Sequence, residues 1–352
     1  MAEKEKSPIV AGVVMAAASA LAFGATTPVI AHFQGSDSPF ATAGLLYAGA
    51  ALISLTLRPF SQRSGRSLGR DAAPRLLLVG LFGAAFAPAL LVWGIGRAGA
   101  TGASLVLNFE AAVTVVLAWL MYREPIGRRV SWALLIILVG GVLVTVDGWQ
   151  RNEAAGAIGL VAVLGATVCW AFDNALTREL SDRDPMDLVT AKGALGAAIT
   201  GTLAAVLGES LPELTPTIAL LLCGATGYGL SLRLYLIAQR HMGAARTASV
   251  FALGPFVGAG LGWILGDRAA GFGTILGAVA FGVGVYLHAT ERHSHRHVHP
   301  ALEHEHAHRH DDGHHDHVHD PPVTGEHTHS HRHESLEHEH EHAPDVHHGH
   351  SH

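Results

Sequence analysis

Charge is scarce in this chain, and so are aromatic rings and cysteine. Only 15% of its 352 residues are charged and 7% are aromatic, and it has two cysteines, Cys169 and Cys223. Both cysteines lie within apolar runs, which excludes a disulfide scaffold and a zinc-ribbon spacing. So little charge beside 49% hydrophobic residues excludes an ordinary soluble enzyme of this length. No phosphate-cradling GxxxxGK[ST] motif occurs, so ATP is not expected to drive its work directly. No catalytic constellation stands out, and the chain is read as a non-enzyme that requires no cofactor.

What is present falls into two parts. Residues 291–352 hold 23 of the 26 histidines, with thirteen acidic residues against four arginines, a formal −9. The whole chain carries −6, so residues 1–290 carry about +3. The tail has almost no apolar side chains with which to bury a core and is expected to be disordered and solvated. Its net acidity argues against a nucleic-acid partner.

The remainder reads as membrane spans. A hydrocarbon core of ~30 Å takes roughly 20 mostly apolar residues in a helix. Such runs fall near 8–31, 40–57, 74–96, 100–121 and 130–147 (spans 1 to 5), then near 156–177, 188–208, 216–239, 244–265 and 270–288 (spans 6 to 10). The first run lacks a small-residue cleavage site and is read as a retained helix. With the N-terminus inside, thirteen lysines and arginines fall in cytoplasmic segments, from Lys4 and Lys6 to Arg240, and only Arg97, Arg151 and Arg268 fall outside. The excess of positive charge places both termini, and the tail, in the cytoplasm of a multi-pass cell-membrane protein. Trp93, Trp119, Trp132, Trp149 and Trp263 sit near span ends, as an aromatic belt requires, whereas Trp170 lies within span 6.

The two sets of five spans resemble each other. "GRAGATGASLVLNFEAAVTVVLAWL" (from Gly96) aligns with "QRHMGAARTASVFALGPFVGAGLGWIL" (from Gln239), and "LAFGATTPV" more weakly with "WAFDNALTR". An odd number of spans per half forces opposite insertion, the inverted-repeat plan of many carriers, with a site near the midplane between halves. The segments "NFEAAVTVVLAWLMYREP" and "RHMGAARTASVFALGPFVGA" resemble the drug/metabolite transporter superfamily in its EamA-type branch. The resemblance covers roughly residues 8–288 and implies an all-α fold of ten helices in two inverted five-helix repeats. It also implies a central cavity lined mainly by helices 1, 3, 4, 6, 8 and 9. The family pattern has a proline in the fourth and ninth helices and an acidic residue at the helix end. Here Pro255 keeps the ninth, Glu110 stands in its place in the fourth, Glu124 keeps the first terminal acid, and Asp267 matches the second in imperfect register. Residues 1–150 and 151–290 are then the two repeats, and 291–352 the tail. Such carriers move amino acids, sugar phosphates, drugs or other metabolites, so the resemblance does not fix the substrate.

Glu110 lies ten residues into span 4, ~15 Å deep at 1.5 Å per residue. An ionisable side chain at that depth usually faces a bundle interior or water cavity and marks a transport path. It is read as a substrate contact or proton-coupling carboxyl, against a helix-bracing hydrogen bond to Asn108 or to the facing half. Asp173 and Asn174 in span 6 and Arg233 in span 8 share a depth nearer the cytoplasm, where Asp173 and Arg233 are placed to pair. Tyr228, Trp170 and Thr27 complete the candidate substrate and coupling set. Lys192 and Arg246 are read as snorkelling cations. Gly254, Gly258, Gly262 and Gly266 form a bare stripe suited to close helix packing. Pro28, Pro88 and Pro255 are placed to bend spans 1, 3 and 9.

In the tail, alternating His-x-His and Glu-His units suit zinc, nickel, cobalt or copper. Candidate ligands are His293, His295, His297, His299, His304, His306, His308, His310, His314, His315, His317 and His319. Two functions follow. One is a gradient-driven carrier, read as an exporter, of a small organic metabolite with the tail as an appendage. The other is a divalent-metal transporter or metal-regulated carrier fed by the tail. The body histidines, His32, His241 and His288, lie near span ends, which favours the organic carrier. The sequence leaves the oligomeric state open.

Overall fold

In the computed structural model, residues 2–35, 38–61, 67–122, 127–178, 180, 183–242, 244–267 and 271–289 of the body are described, with 293–299, 302–308, 327–333 and 336–342 of the tail. The chain divides into two units, Met1–Glu291 and Arg292–His352.

The first unit is helical, and seven segments among the described residues are long and apolar enough to cross a bilayer. They are Val10–Phe33, Pro39–Phe60, Arg70–Val106, Arg128–Asp147, Ala155–Thr177, Met186–Leu207 and Leu214–Ala238. The ten expected spans are not ten equal rods. Span 3 runs into span 4 without a loop, the two meeting at Gly99, whose φ of 78° and ψ of 167° only glycine adopts readily. Span 4 continues as Phe109–Tyr122, span 9 is split into Ala244–Phe251 and Gly254–Ile264, and span 10 is the shorter Phe272–Ala289.

Which face of each helix looks outward follows from side-chain size. On span 5, Trp132, Leu135, Val139, Val142 and Val146 are exposed at helical spacing, a stripe tolerable only against lipid. Inward faces carry small residues, so that backbones meet. A Cβ on Gly94 would lie 2.6 Å from the Gly159 carbonyl oxygen, and one on Gly159 2.8 Å from that of Gly94, which fixes the crossing of spans 3 and 6. Gly140 and Gly277 make the same reciprocal approach between spans 5 and 10. The span 9 stripe packs likewise: Gly254 and Gly258 lie against span 1, and Gly258 and Gly262 against span 4, while Gly266, at φ 110°, ends the run.

Backbone irregularities recur at equivalent places in the two repeats. Span 3 widens to a π-helix over Gly80–Phe86 and span 8 over Ala225–Leu230, starting 145 residues apart. Pro88 contributes in span 3, because it offers no N–H to the preceding turn. In span 4 the Asn108 amide N–H turns back on Leu105 O (3.1 Å), and in span 9 the Leu253 N–H turns back on Val250 O (3.2 Å), again 145 residues apart. Pro255 accounts for the second break. In the first, which has no proline, the Asn108 side chain donates to Leu105 O (2.9 Å) and occupies the carbonyl the helix would use.

Three carboxylates tie repeat-related spans together on the face where the odd-numbered spans end. Glu209 Oε2, after span 7, accepts from Ala41 N of span 2 (2.7 Å). Asp267 Oδ2, after span 9, accepts from Thr101 N of span 4 (2.7 Å). Asp147, closing span 5, accepts from Gly271 N (2.8 Å), Gly273 N (3.3 Å) and Thr274 Oγ1 (2.6 Å) at the start of span 10. Each carboxylate satisfies helix N-terminal donors that have no partner in their own helix. Asp147→Ala, which strands three donors beside a buried site, should lower stability by about 2–3 kcal/mol, and Glu209→Ala, which strands one, by about 1 kcal/mol. Thermal unfolding in detergent checks the order.

In the tail unit the described stretches are four strands, β1 (His293–His299), β2 (Leu302–His308), β3 (His327–His333) and β4 (Leu336–His342). β1 pairs antiparallel with β4 and β2 with β3, as separate two-stranded ladders. Composition predicts a tail without regular structure. The alternation of histidine with other residues has a period of two, the period of an extended strand, and it suits these ladders without supplying a core.

Candidate functional site

The irregular stretches of spans 3 and 4 meet span 6 at a cluster of polar side chains. The break at Leu107 and Asn108 ends immediately before Glu110, which opens the second half of span 4. Its Oε1 accepts a hydrogen bond from Asn174 Nδ2 at 2.8 Å. One residue earlier in span 6, Asp173 is buried at 1% exposure and forms an ion pair with Lys192 of span 7. Thr177 Oγ1 also donates to Asp173 (3.3 Å). Because Asp173 and Asn174 are adjacent in span 6, the Glu110 carboxylate and the Asp173–Lys192 pair belong to one cluster.

Gly83, inside the span 3 π-helix, is the hub. Its carbonyl oxygen accepts from Tyr47 Oη (2.6 Å) of span 2 and Trp170 Nε1 (2.9 Å) of span 6. A Cβ at Gly83 would stand 2.3 Å from the Asp173 carboxylate. The widened turn thus frees a carbonyl for two aromatic donors while the bare Cα admits the carboxylate. Gly83→Ala should displace Asp173 from Lys192 and lower the melting temperature, and an unchanged melt would remove Gly83 from this role.

Aromatic rings wall the cluster. Phe23 lies edge-on to Trp170 (6.5 Å) and to Tyr228 (6.1 Å), Tyr47 packs on Tyr228 (5.4 Å), and Phe251 on Phe23 (5.3 Å). Among the described residues, Ser104 Oγ is buried without a hydrogen-bond partner.

The sequence-derived set is only partly gathered here. Glu110, Asp173, Asn174, Trp170 and Tyr228 meet as described. Asn108 is buried but is spent on Leu105 O, and the bracing partner of Glu110 is Asn174 instead. Thr27 is buried on span 1. Arg233 is half-buried, and the partner of Asp173 is Lys192, contrary to the expected pairing: Lys192 sits within span 7, opposite Asp173, and not at its rim as a snorkelling cation. Sequence reasoning passed over Tyr47 and Gly83. A tyrosine in the short second span and a Gly-Ala-Ala run three residues before Pro88 were the available signals. The Arg246 side chain and Glu124 lie outside the described residues, as do His310, His314, His315, His317 and His319.

Among the described residues no group of three or more His, Cys, Asp or Glu side chains is placed to hold a metal ion. The tail strings "HEHAH" (from His304) and "HEHEH" (from His338) read as HExxH, but they lie on β2 and β4. In a strand, residues four apart are ~13 Å distant, whereas the zinc-protease arrangement needs one helix turn.

Comparison with known proteins agrees with this architecture. A solved crystal structure matches with a TM-score of 0.56 at 14% identity, covering 80% of this chain and 95% of its own, a likeness of fold alone. An uncharacterized transporter of Methanothermobacter thermautotrophicus is 30% identical over 198 residues, 54% of this chain and 57% of the relative. The uncharacterized transporter YyaM of Bacillus subtilis is 23% identical over 177 residues, 49% of this chain and 58% of the relative. The chain spans little more than half the length of either curated relative. The model of the EamA-like transporter family matches twice, over residues 10–146 and 157–290, one match to each five-span half, and this multi-pass membrane protein belongs to that family.

Proposed function

We propose that this protein is a secondary carrier that exports a small organic metabolite across the cytoplasmic membrane by alternating access, with Glu110 coupling transport to protons. One observation carries the proposal: Glu110 directly follows a broken helix, inside a repeat-paired frame, and accepts from the neutral amide of Asn174. Discontinuous helices at matching places in two inverted halves are where carriers put their sites. An ionisable group there is retained for a path and not for stability. The excess of lysine and arginine supports cytoplasmic termini, which would set the three-carboxylate face outside.

The test is flux in proteoliposomes. A panel of metabolites is loaded, a pH gradient is imposed or omitted, and efflux is followed. Efflux of at least one organic solute that quickens with the gradient is expected. Absence of flux across the panel would end the carrier proposal.

The tail supports a second, separate property. In the ladder register, His293, His295 and His297 stand opposite His342, His340 and His338. His304, His306 and His308 stand opposite His331, His329 and His327. Directly opposite positions bring Cβ atoms ~5 Å apart on one face, a spacing that suits two-imidazole binding of zinc, nickel, cobalt or copper. We propose that the tail holds such ions as a cytoplasmic appendage while the spans set selectivity. Full-length protein should bind several zinc ions per chain by equilibrium dialysis at neutral pH. Deleting 291–352 should remove that binding and leave organic flux intact, and metal flux persisting in the deletion would overturn the division of roles.

A further inference from the structure

The central cluster has an unequal charge count. Asp173 and Lys192 pair with each other, their side chains 2% and 18% exposed, and are neutral together. Glu110 has a neutral amide partner, so among these three groups one carboxylate has no cation paired to it. Glu110 is half-buried, and a carboxylate within a membrane span is costly unless a cation joins it. The Lys192 ammonium is already engaged by Asp173, so it is not free to receive an anionic solute group.

The aromatic wall points the same way. Tyr47 and Trp170 direct their polar atoms to Gly83 O, which leaves their ring surfaces to face other neighbours. Gly83, whose carbonyl takes the Tyr47 and Trp170 donors, also abuts Asp173, and the next residue of span 6, Asn174, donates to Glu110. Ring faces beside an unmatched carboxylate attract a positive group, each worth on the order of 0.5–2 kcal/mol.

Resting on the carrier proposal above, we infer that the solute is a monovalent organic cation: a protonated amine on an aromatic or apolar body, without a carboxylate, using Glu110 as its counter-ion. The aromatic rings of Phe23, Tyr47, Trp170 and Tyr228 take the body. The Asp173–Lys192 pair stays closed and fixes span 6 against span 7.

Three probes share one ring and differ in charge: phenethylamine (+1), phenylalanine (zwitterionic) and phenylacetate (−1). Binding to the full chain in detergent is measured by calorimetry, and counterflow by proteoliposomes. Phenethylamine should bind and exchange, with phenylalanine and phenylacetate at least tenfold weaker, and Glu110→Gln should reduce phenethylamine affinity at least tenfold. Preference for phenylalanine or phenylacetate would overturn the charge assignment and leave the carrier proposal standing. Undiminished amine binding in Glu110→Gln would overturn the counter-ion role. Failure of all three probes while another solute of the panel moves would also refute the inference, whereas absence of flux for every solute would refute the carrier proposal itself.

Discussion

Glu110→Gln is expected to reduce amine flux on the order of a hundredfold, the scale set when a charged contact worth about 3 kcal/mol is lost. The fold should survive, because a glutamine oxygen can still accept from Asn174 Nδ2 as the carboxylate does at 2.8 Å. What disappears is the charge and the titrating proton. The substitution therefore separates two effects that usually fall together. Melting temperature should be unchanged within a few degrees, while both flux and its response to a pH gradient are lost. A variant that transports at the native rate, with the gradient response intact, would show that Glu110 only braces span 4 against span 6.

The second large effect concerns stability. Lys192→Met leaves the buried Asp173 carboxylate without its cation, and breaking a buried pair from one side costs about 3–5 kcal/mol. Thermal unfolding in detergent should fall steeply, or the protein should fail to accumulate. Combining Lys192→Met with Asp173→Asn removes both charges and should recover most of that loss. Thr177 and the bare Gly83 can accommodate an amide where the carboxylate stood. Because the unmatched charge on Glu110 is untouched, the double variant should still bind phenethylamine. A single variant as stable as the native protein would show that the pair contributes nothing to the packing of spans 6 and 7.

Much of the architecture was legible in the residues. Apolar runs of span length, the alignment of "NFEAAV" with "LGPFVG" and the depth of Glu110 all came from periodicity and composition, which act locally. Hydropathy does not record where a helix breaks without proline. The turn at Asn108 arises because its own amide competes for Leu105 O, and an asparagine in an apolar run carries no unique sign of that. The partner of Asp173 was misassigned for a related reason. Residue count gives Arg233 the depth of Asp173 and makes Lys192 a rim cation, and only the ion pair formed where spans 6 and 7 meet brings Lys192 to Asp173. Gly83 was hidden because its role depends on a π-turn, which exists only in the folded backbone. The tail's extended pairing follows the period of two in His-x-His, whereas a composition with so little to bury predicts no regular structure.

The glutamate and two aspartates that link spans 2 and 7, 4 and 9, and 5 and 10 have a consequence for how such a machine changes over generations. Their acceptor atoms belong to side chains, but the donors at Ala41, Thr101 and Gly271 are main-chain amides, which substitution cannot delete except by proline. The fastening can therefore be loosened one strap at a time, by single changes at Glu209, Asp267 or Asp147, without altering Glu110, Asp173 or Lys192. The firmness with which paired spans are held and the side chains around Glu110 are then free to drift separately.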